Sequence, residues 1–317
     1  WVRQSAGTKT GPSGVGIDNY NWYMKNVQLV PYDWAGQEAL LRRELERAYS
    51  GLEEEELRNR ALPPLVAIDD PVRYQAYDDA EMEKYIAFLT ATGLIPDRND
   101  DRAALRAQKI GYVPSGARVF FTNITALNPL PLYSHDIHWV ELAKIRYAPN
   151  PDPVRAGAPL FNIYAARSEG LATGFEELVM RAGLYEAEPR GRELVWIMLA
   201  NRAARGLASL YVQANRMTLD EAGFYHASHT PRGYSDARSP LVGGEQLLYL
   251  RQPGSGTSYV TGKALFDAVI ASAAQAHGTV AWRSSLPATM NAIYNAGILP
   301  WPLVAEVMGL PPKGVAP

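Results

Sequence analysis

Two short runs decide how this chain reads: Ser134-His-Asp-Ile-His-Trp139 and Arg167-Ser-Glu-Gly-Leu-Ala-Thr-Gly-Phe-Glu-Glu177. After the first, Ile137, Val140, Leu142 and Ile145 recur at helical spacing, which predicts a helix from Ile137 through Arg146 that stops at the Pro149 to Pro153 break. The second lies within a long helix predicted over Pro159 to Gly183. If the first run is helical, His135 and His138 share a face, because residues three apart are neighbours on a helix surface. Asp136 stands between them, and Glu169 comes from the next apolar segment. Two imidazoles and a carboxylate from a second helix form the ligand set of a hydrolytic zinc site, which keeps a fourth position open for water. Plainer readings exist for the same residues. His226 and His229 are also three apart, and Glu169 could be a buried carboxylate paired with Arg167 or Arg205.

Working outward, the helical period recurs along most of the chain. Gly11, Pro12, Gly14 and Gly16 mark a loop, followed by a short amphipathic segment with Tyr20, Trp22 and Tyr23. From Asp33 a helical period puts Leu40, Leu41, Leu45, Ala48, Tyr49 and Leu52 on one side and Arg42, Arg43, Glu44 and Glu46 on the other, ending in the solvated acidic run Glu53 to Glu56. Further helices are predicted over Asp79 to Thr92, over the strongly apolar and therefore central Arg192 to Arg216, and after the capping box of Thr218 and Glu221. Others follow over Ser258 to Ala276, Pro287 to Asn295 and Pro302 to Met308. Ala117 to Asn123, rich in Val and Phe, is the best strand candidate. The expected fold is mainly α with few short strands: one helical domain over 1–317, with an amino-terminal helical part at 1–130 and a motif-bearing part at 131–317.

Composition narrows the chemistry. With 317 residues, 47% of them hydrophobic, the chain can bury a large core. A net charge of -2 without a basic cluster argues against nucleic acid as a partner. No apolar run approaches the roughly 20 residues of a transmembrane span. There are no cysteines, so thiolate catalysis and Cys-based metal sites are excluded, and any metal must be held by His, Asp and Glu. The lack of thiols suits a periplasmic or secreted protein better than a cytoplasmic one. An opening at Trp1, without an initiator Met or a signal sequence, reads as a processed form or an excised segment. Gly11-x-x-Gly14-x-Gly16 lacks the strand and helix context of a nucleotide loop, and Gly254-Ser255-Gly256 reads as a turn.

Several colinear blocks resemble one family. Tyr164-Ala-Ala-Arg-Ser-Glu-Gly-Leu-Ala-Thr-Gly-Phe-Glu176 is similar to the E-G-W-A-L-Y-x-E signature of a large bacterial family named domain of unknown function 885. Ala182-Gly-Leu-Tyr185, Asn201-Arg-Ala-Ala-Arg205 and Met217-Thr-Leu-Asp-Glu-Ala222 resemble its next segments in order. Tyr249-Leu-Arg-Gln-Pro-Gly-Ser-Gly-Thr-Ser-Tyr259-Val-Thr-Gly-Lys263 is similar to its Y-x-x-x-P-G-Q-x-x-x-Y-x-x-G block, and Ala296-Gly-Ile-Leu-Pro300 to its closing segment. Members are commonly about twice this length, so the likeness is to the carboxy-terminal half. The amino-terminal half would then be absent or supplied by a partner chain.

The resemblance implies a helical zinc-metallopeptidase-like fold and a metal-dependent hydrolase of peptides or other amides. Zinc would be held by His135, His138 and Glu169, where it would bring the pKa of its water to about 7. Asp136, in the place of the family's Glu, would be the general base, and Tyr259 would donate to the oxyanion. Glu176, two helical turns after Glu169, would orient a histidine N–H as an outer-shell carboxylate. The chain departs from the family pattern: its metal motif is shorter than H-E-x-x-P-G-H, and Ser209, Gln213 and Leu248 replace the usual Asp, His and Arg. Those departures imply the alternative of a non-catalytic relative acting as a binding or assembly subunit. A third reading is a metal-free enzyme using Asp136 and Glu169 as an acid–base pair. The plainer reading of Tyr259 is a packed helix aromatic with its hydroxyl at the surface.

Overall fold

Helix starts are written into the local sequence. The carboxylates of Asp33 and Asp70 accept from the backbone N–H groups of Gly36 and Arg73 at 2.8 and 2.7 Å. Thr218 and Glu221 form the reciprocal capping box that their spacing predicts. The computed structural model describes residues 1–157, 165–276, 278 and 282–311. Over these, every regular element is a helix. In order they are α1 (Val2–Ser5), α2 (Ile17–Asn26), α3 (Trp34–Arg58), α4 (Pro71–Ala91), α5 (Asn99–Arg106), α6 (Phe120–Leu127), α7 (Leu130–His135) and α8 (Ile137–Tyr147). Then come α9 (Ala165–Ala182), α10 (Gly191–Gln213), α11 (Leu219–Ser228), α12 (Pro240–Arg251), α13 (Ser255–Ala276), α14 (Trp282–Ala296) and α15 (Trp301–Val307).

The mainly α expectation holds, and the strand expected at Ala117 to Asn123 is wrong. That segment is a short turn at Ser115–Ala117 followed by α6. Thr122 Oγ accepts from the Val119 N–H at 2.8 Å and closes the first turn. Phe120 and Ile124, four apart, then bury on one side against Leu132, Leu194 and Met198. Tertiary packing of an i, i+4 pair therefore overrides the β-propensity of the Val–Phe run. The helix predicted from Pro159 is described from Ala165, and its first residues lie outside the described ones. Pro287, expected at a helix start, lies inside α14.

Helix α10 is central, as its apolar sequence predicts. It packs against α3, α11 and α13, and its residues from Ile197 to Gln213 are all buried. Helices α9 and α13 approach at backbone distance. A Cβ on Gly262 would overlap the carbonyl oxygen of Ala166 and lie 2.7 Å from the Cα of Gly170. Small residues at that crossing, together with Gly174 under the ring of Phe266, let the two helices meet without intervening side chains. Trp301 of α15 then locks onto this pair, donating from its indole to Ala166 O at 2.9 Å. Two large apolar clusters result, one around α9, α13 and α14 and one around α3 and α10.

Candidate metal centre

Helix α7 ends at His135 and α8 begins at Ile137, with Asp136 at the junction. The histidine pair therefore spans a helix break rather than one continuous face. His138 Nδ1 donates back to the His135 carbonyl at 2.8 Å, which fixes the ring and leaves Nε2 with its lone pair. His135 points Nε2 at Glu169 Oε2, 3.2 Å away on α9. One ligand atom from each of His135, His138 and Glu169 lies within 4.8 Å of the others. The three residues come from separate helices, and Tyr259 arrives from α13.

Glu176 lies where the two-turn spacing from Glu169 suggests. Its Oε1 is 2.8 Å from His135 Nδ1, out of alignment for a directional hydrogen bond, so both atoms remain without a fully formed partner. Its Oε2 accepts from Arg202 Nη1 at 2.7 Å. Neither Arg167 nor Arg205 forms an ion pair with Glu169. Arg167 makes two hydrogen bonds to Glu141, at 2.7 and 2.9 Å, and Arg205 binds Glu245. Glu169 is left facing imidazoles, with about a quarter of its side chain (26%) exposed.

Burial and charge set the protonation states. Burial lowers the His138 pKa to about 4, so the ring is neutral at ordinary pH. Burial and Arg202 oppose the His135 cation, but Glu169 and Glu176 outweigh them and raise its pKa. Burial works against an ionised Glu169, yet His135, His138 and Arg205 draw its pKa down to about 2. Asp136 behaves in the opposite sense. Burial, with Glu176 and Glu169 nearby, pushes it up to about 7. Tyr259 stacks near His135 with ring centroids 6.0 Å apart, beneath the Arg205 guanidinium at 4.2 Å, and burial raises its phenol to about 12.

The six residues singled out from the sequence are thus neighbours in space. Arg202 and Arg205, which hold Glu176 and cover Tyr259, were missed. The signal was present in Asn201-Arg-Ala-Ala-Arg205. Two arginines three apart in an apolar helix must each find a carboxylate once buried. The two other described histidines are not part of the cluster. His226 Nε2 meets the Asn201 amide at 2.8 Å, and His229 Nδ1 donates to Tyr225 O at 2.9 Å.

Comparison with known proteins gives the fold and little more. No family model matches the chain, and no curated protein matches it. Among solved structures it resembles one described as a putative lipoprotein from Colwellia psychrerythraea, at TM-score 0.70 and 18% identity, covering 97% of this chain and 58% of that one. It also resembles one described as a putative lipoprotein of unknown function from Shewanella oneidensis, at TM-score 0.72 and 12% identity, covering 97% and 62%. At these identities the likeness is one of fold. The chain spans about three-fifths of the length of the structures it matches.

Proposed function

We propose that this chain is a metal-dependent hydrolase acting on peptide or other amide bonds, with zinc held by His135, His138 and Glu169. The observation that carries the reading is the convergence of those three groups, with nearby arginines engaged elsewhere and an outer carboxylate on His135. The donor set fits the ion. It offers one neutral imidazole with its lone pair free, a second imidazole backed by Glu176, and an ionised carboxylate, the borderline mixture of N and O ligands that zinc takes.

When bound, zinc would polarise a carbonyl and make water nucleophilic at neutral pH. The chain's own groups supply the rest. Asp136, with a pKa near 7, can take a proton at neutral pH and give it up again to a leaving amine. Tyr259 stays protonated and offers its O–H to a developing oxyanion. Arg205 above its ring favours negative charge on that side of the site. Glu176, clamped by Arg202, sets a carboxylate 2.8 Å from His135 Nδ1, where its charge favours a proton on that nitrogen and leaves Nε2 for the metal.

The test is metal content after purification without chelator, together with hydrolysis of a generic peptide that chelator abolishes and zinc restores. One observation favours the binding-subunit alternative. The cavities described below and beside α3 and α6 are lined by other residues, so none of them opens on the histidines. An intact fold with no metal would support that alternative, and full activity in chelator would favour the metal-free pair. The likeness to proteins described as lipoproteins supports a location outside the cytoplasm. No helix among the described residues is long and apolar enough to cross a membrane.

A further inference from the structure

A cavity of about 600 Å³ opens beyond the carboxy-terminal half of α8, between that helix, the loop at 148–156 and the end of α14. It is separate from the metal centre. Its lining carries three cations, Arg98, Lys144 and Arg155, and one carboxylate, Glu141. Glu141 is already neutralised by the two hydrogen bonds from the fully buried Arg167. Arg155 Nε is held by Asp152 at 2.9 Å. Arg98 and Lys144 have no ion pair among the described residues.

Lys144 is the informative group. Its ammonium sits 5.0 Å from the centroid of the Tyr294 ring, half-buried, with the carboxylates of Asp101 and Glu141 near enough to favour its charge but in no ion pair with it. Glu141 is held by Arg167, whereas Asp101 accepts from the neutral Tyr147 hydroxyl and keeps its charge. Burial lowers the Lys144 pKa, with Arg98 and Arg167 adding like-charge repulsion. A half-buried ammonium in no ion pair, facing a cavity whose wall also carries the exposed Arg98 guanidinium, gains from an anion bound in that space. Asn291 and Asn295 add amide groups on the α14 side of the same space. The Tyr294 hydroxyl is committed to Leu94 O at 3.1 Å, so that residue contributes its ring rather than its O–H.

We propose that this cavity is a second ligand site, which takes a small organic anion through a carboxylate or phosphate group bound by Lys144 and Arg98. The volume is within the range of small-molecule pockets, and the apolar floor of Ile145, Tyr294 and Ile298 suits a ligand with a carbon skeleton behind the charged group. Nothing in the inference depends on metal at the histidines.

The test is isothermal titration of the whole chain with inorganic phosphate and, separately, with succinate, on the parent, Lys144→Gln, Arg98→Gln and a Lys109→Gln surface control. Far-UV circular dichroism and thermal midpoint confirm that each variant is folded. The expected result is one site for at least one probe, weakened at least tenfold by Lys144→Gln and by Arg98→Gln, unchanged in Lys109→Gln, and weaker at high salt. Binding of phosphate alone would assign a phosphate group to the ligand, and binding of succinate alone a carboxylate. No binding of either probe, or an equal loss in the Lys109→Gln control, would overturn the proposal.

Discussion

Gly262 of α13 rests on the backbone of Ala166 in α9, so close that no side chain fits between them. This crossing brings Tyr259, on the preceding turn of α13, towards Glu169 on α9. Adding a methyl group there would collide with a carbonyl in the middle of two buried helices, where nothing flexible can yield. Gly262→Ala should therefore cost about 3 kcal/mol or more, the upper part of the range for overpacking, despite the better helix propensity of Ala. Urea unfolding measures it, and a loss below about 0.5 kcal/mol would show that the helices separate at little cost.

His138→Ala should lower metal content far more than His229→Ala. The first removes one of three ligands, whereas the second removes a side chain that bonds only to the turn below it and to Ser228. Elemental analysis of both variants, purified side by side, decides this. Equal metal in the two would take His138 out of the site.

The Arg167–Glu141 pair is fully buried and doubly bonded, and the Arg167 guanidinium also lies 4.7 Å from the centroid of the Trp301 ring. Removing one partner strands the other charge, so Glu141→Ala should cost about 3–5 kcal/mol. Replacing both, as Glu141→Leu with Arg167→Met, should cost much less than the sum of the single changes. A double-mutant cycle in urea gives the coupling, and additive losses would mean that the two charges are independently solvated.

Stability should fall with acid through His226. Burial and Arg205 lower its folded pKa to about 3, against an ordinary value of 6.5. Between those values the unfolded chain binds the proton and the folded chain does not, so the contribution is complete above pH 6.5 and is lost as pH falls towards 3. The loss amounts to a few kcal/mol, at about 1.4 kcal/mol for each tenfold difference in proton affinity. His226→Leu, less stable at neutral pH for want of the Asn201 contact, should show a shallower slope between pH 6 and 4 in urea midpoints. Parallel slopes would place the titration elsewhere.

The sequence makes the helices legible where local signals agree. Asp33, Thr218 and the apolar run of α10 mark their elements because caps and period point the same way. Ala117 to Asn123 misleads because β-branched and aromatic residues suit a strand as well as a packed helix turn, and only the partners of Phe120 and Ile124 decide. Within the site, the spacing of Glu169 and Glu176 and of His135 and His138 is local and readable. The break at Asp136 is not, since nothing in Ser134-His-Asp-Ile-His announces a helix end. The roles of Arg202 and Arg205 depend on which carboxylates arrive from α9 and α12, a long-range fact that no local spacing encodes.

Asp136 gives the sharpest test of the hydrolase reading, because it can be separated from the ligands. It sits one residue after His135 and two before His138, buried, with burial and the carboxylates of Glu176 and Glu169 holding its pKa near 7. Asparagine keeps its size but cannot accept a proton. Asp136→Asn should therefore leave metal content and thermal midpoint close to those of the parent, and should even relieve a buried charge. Hydrolysis of a generic peptide should fall about 10²- to 10⁴-fold, the usual worth of a positioned general base. If Asp136→Asn retains parental activity and the same pH profile, the base lies elsewhere and Asp136 only joins two helices. If metal is lost along with activity, Asp136 supports the ligands rather than the proton transfer.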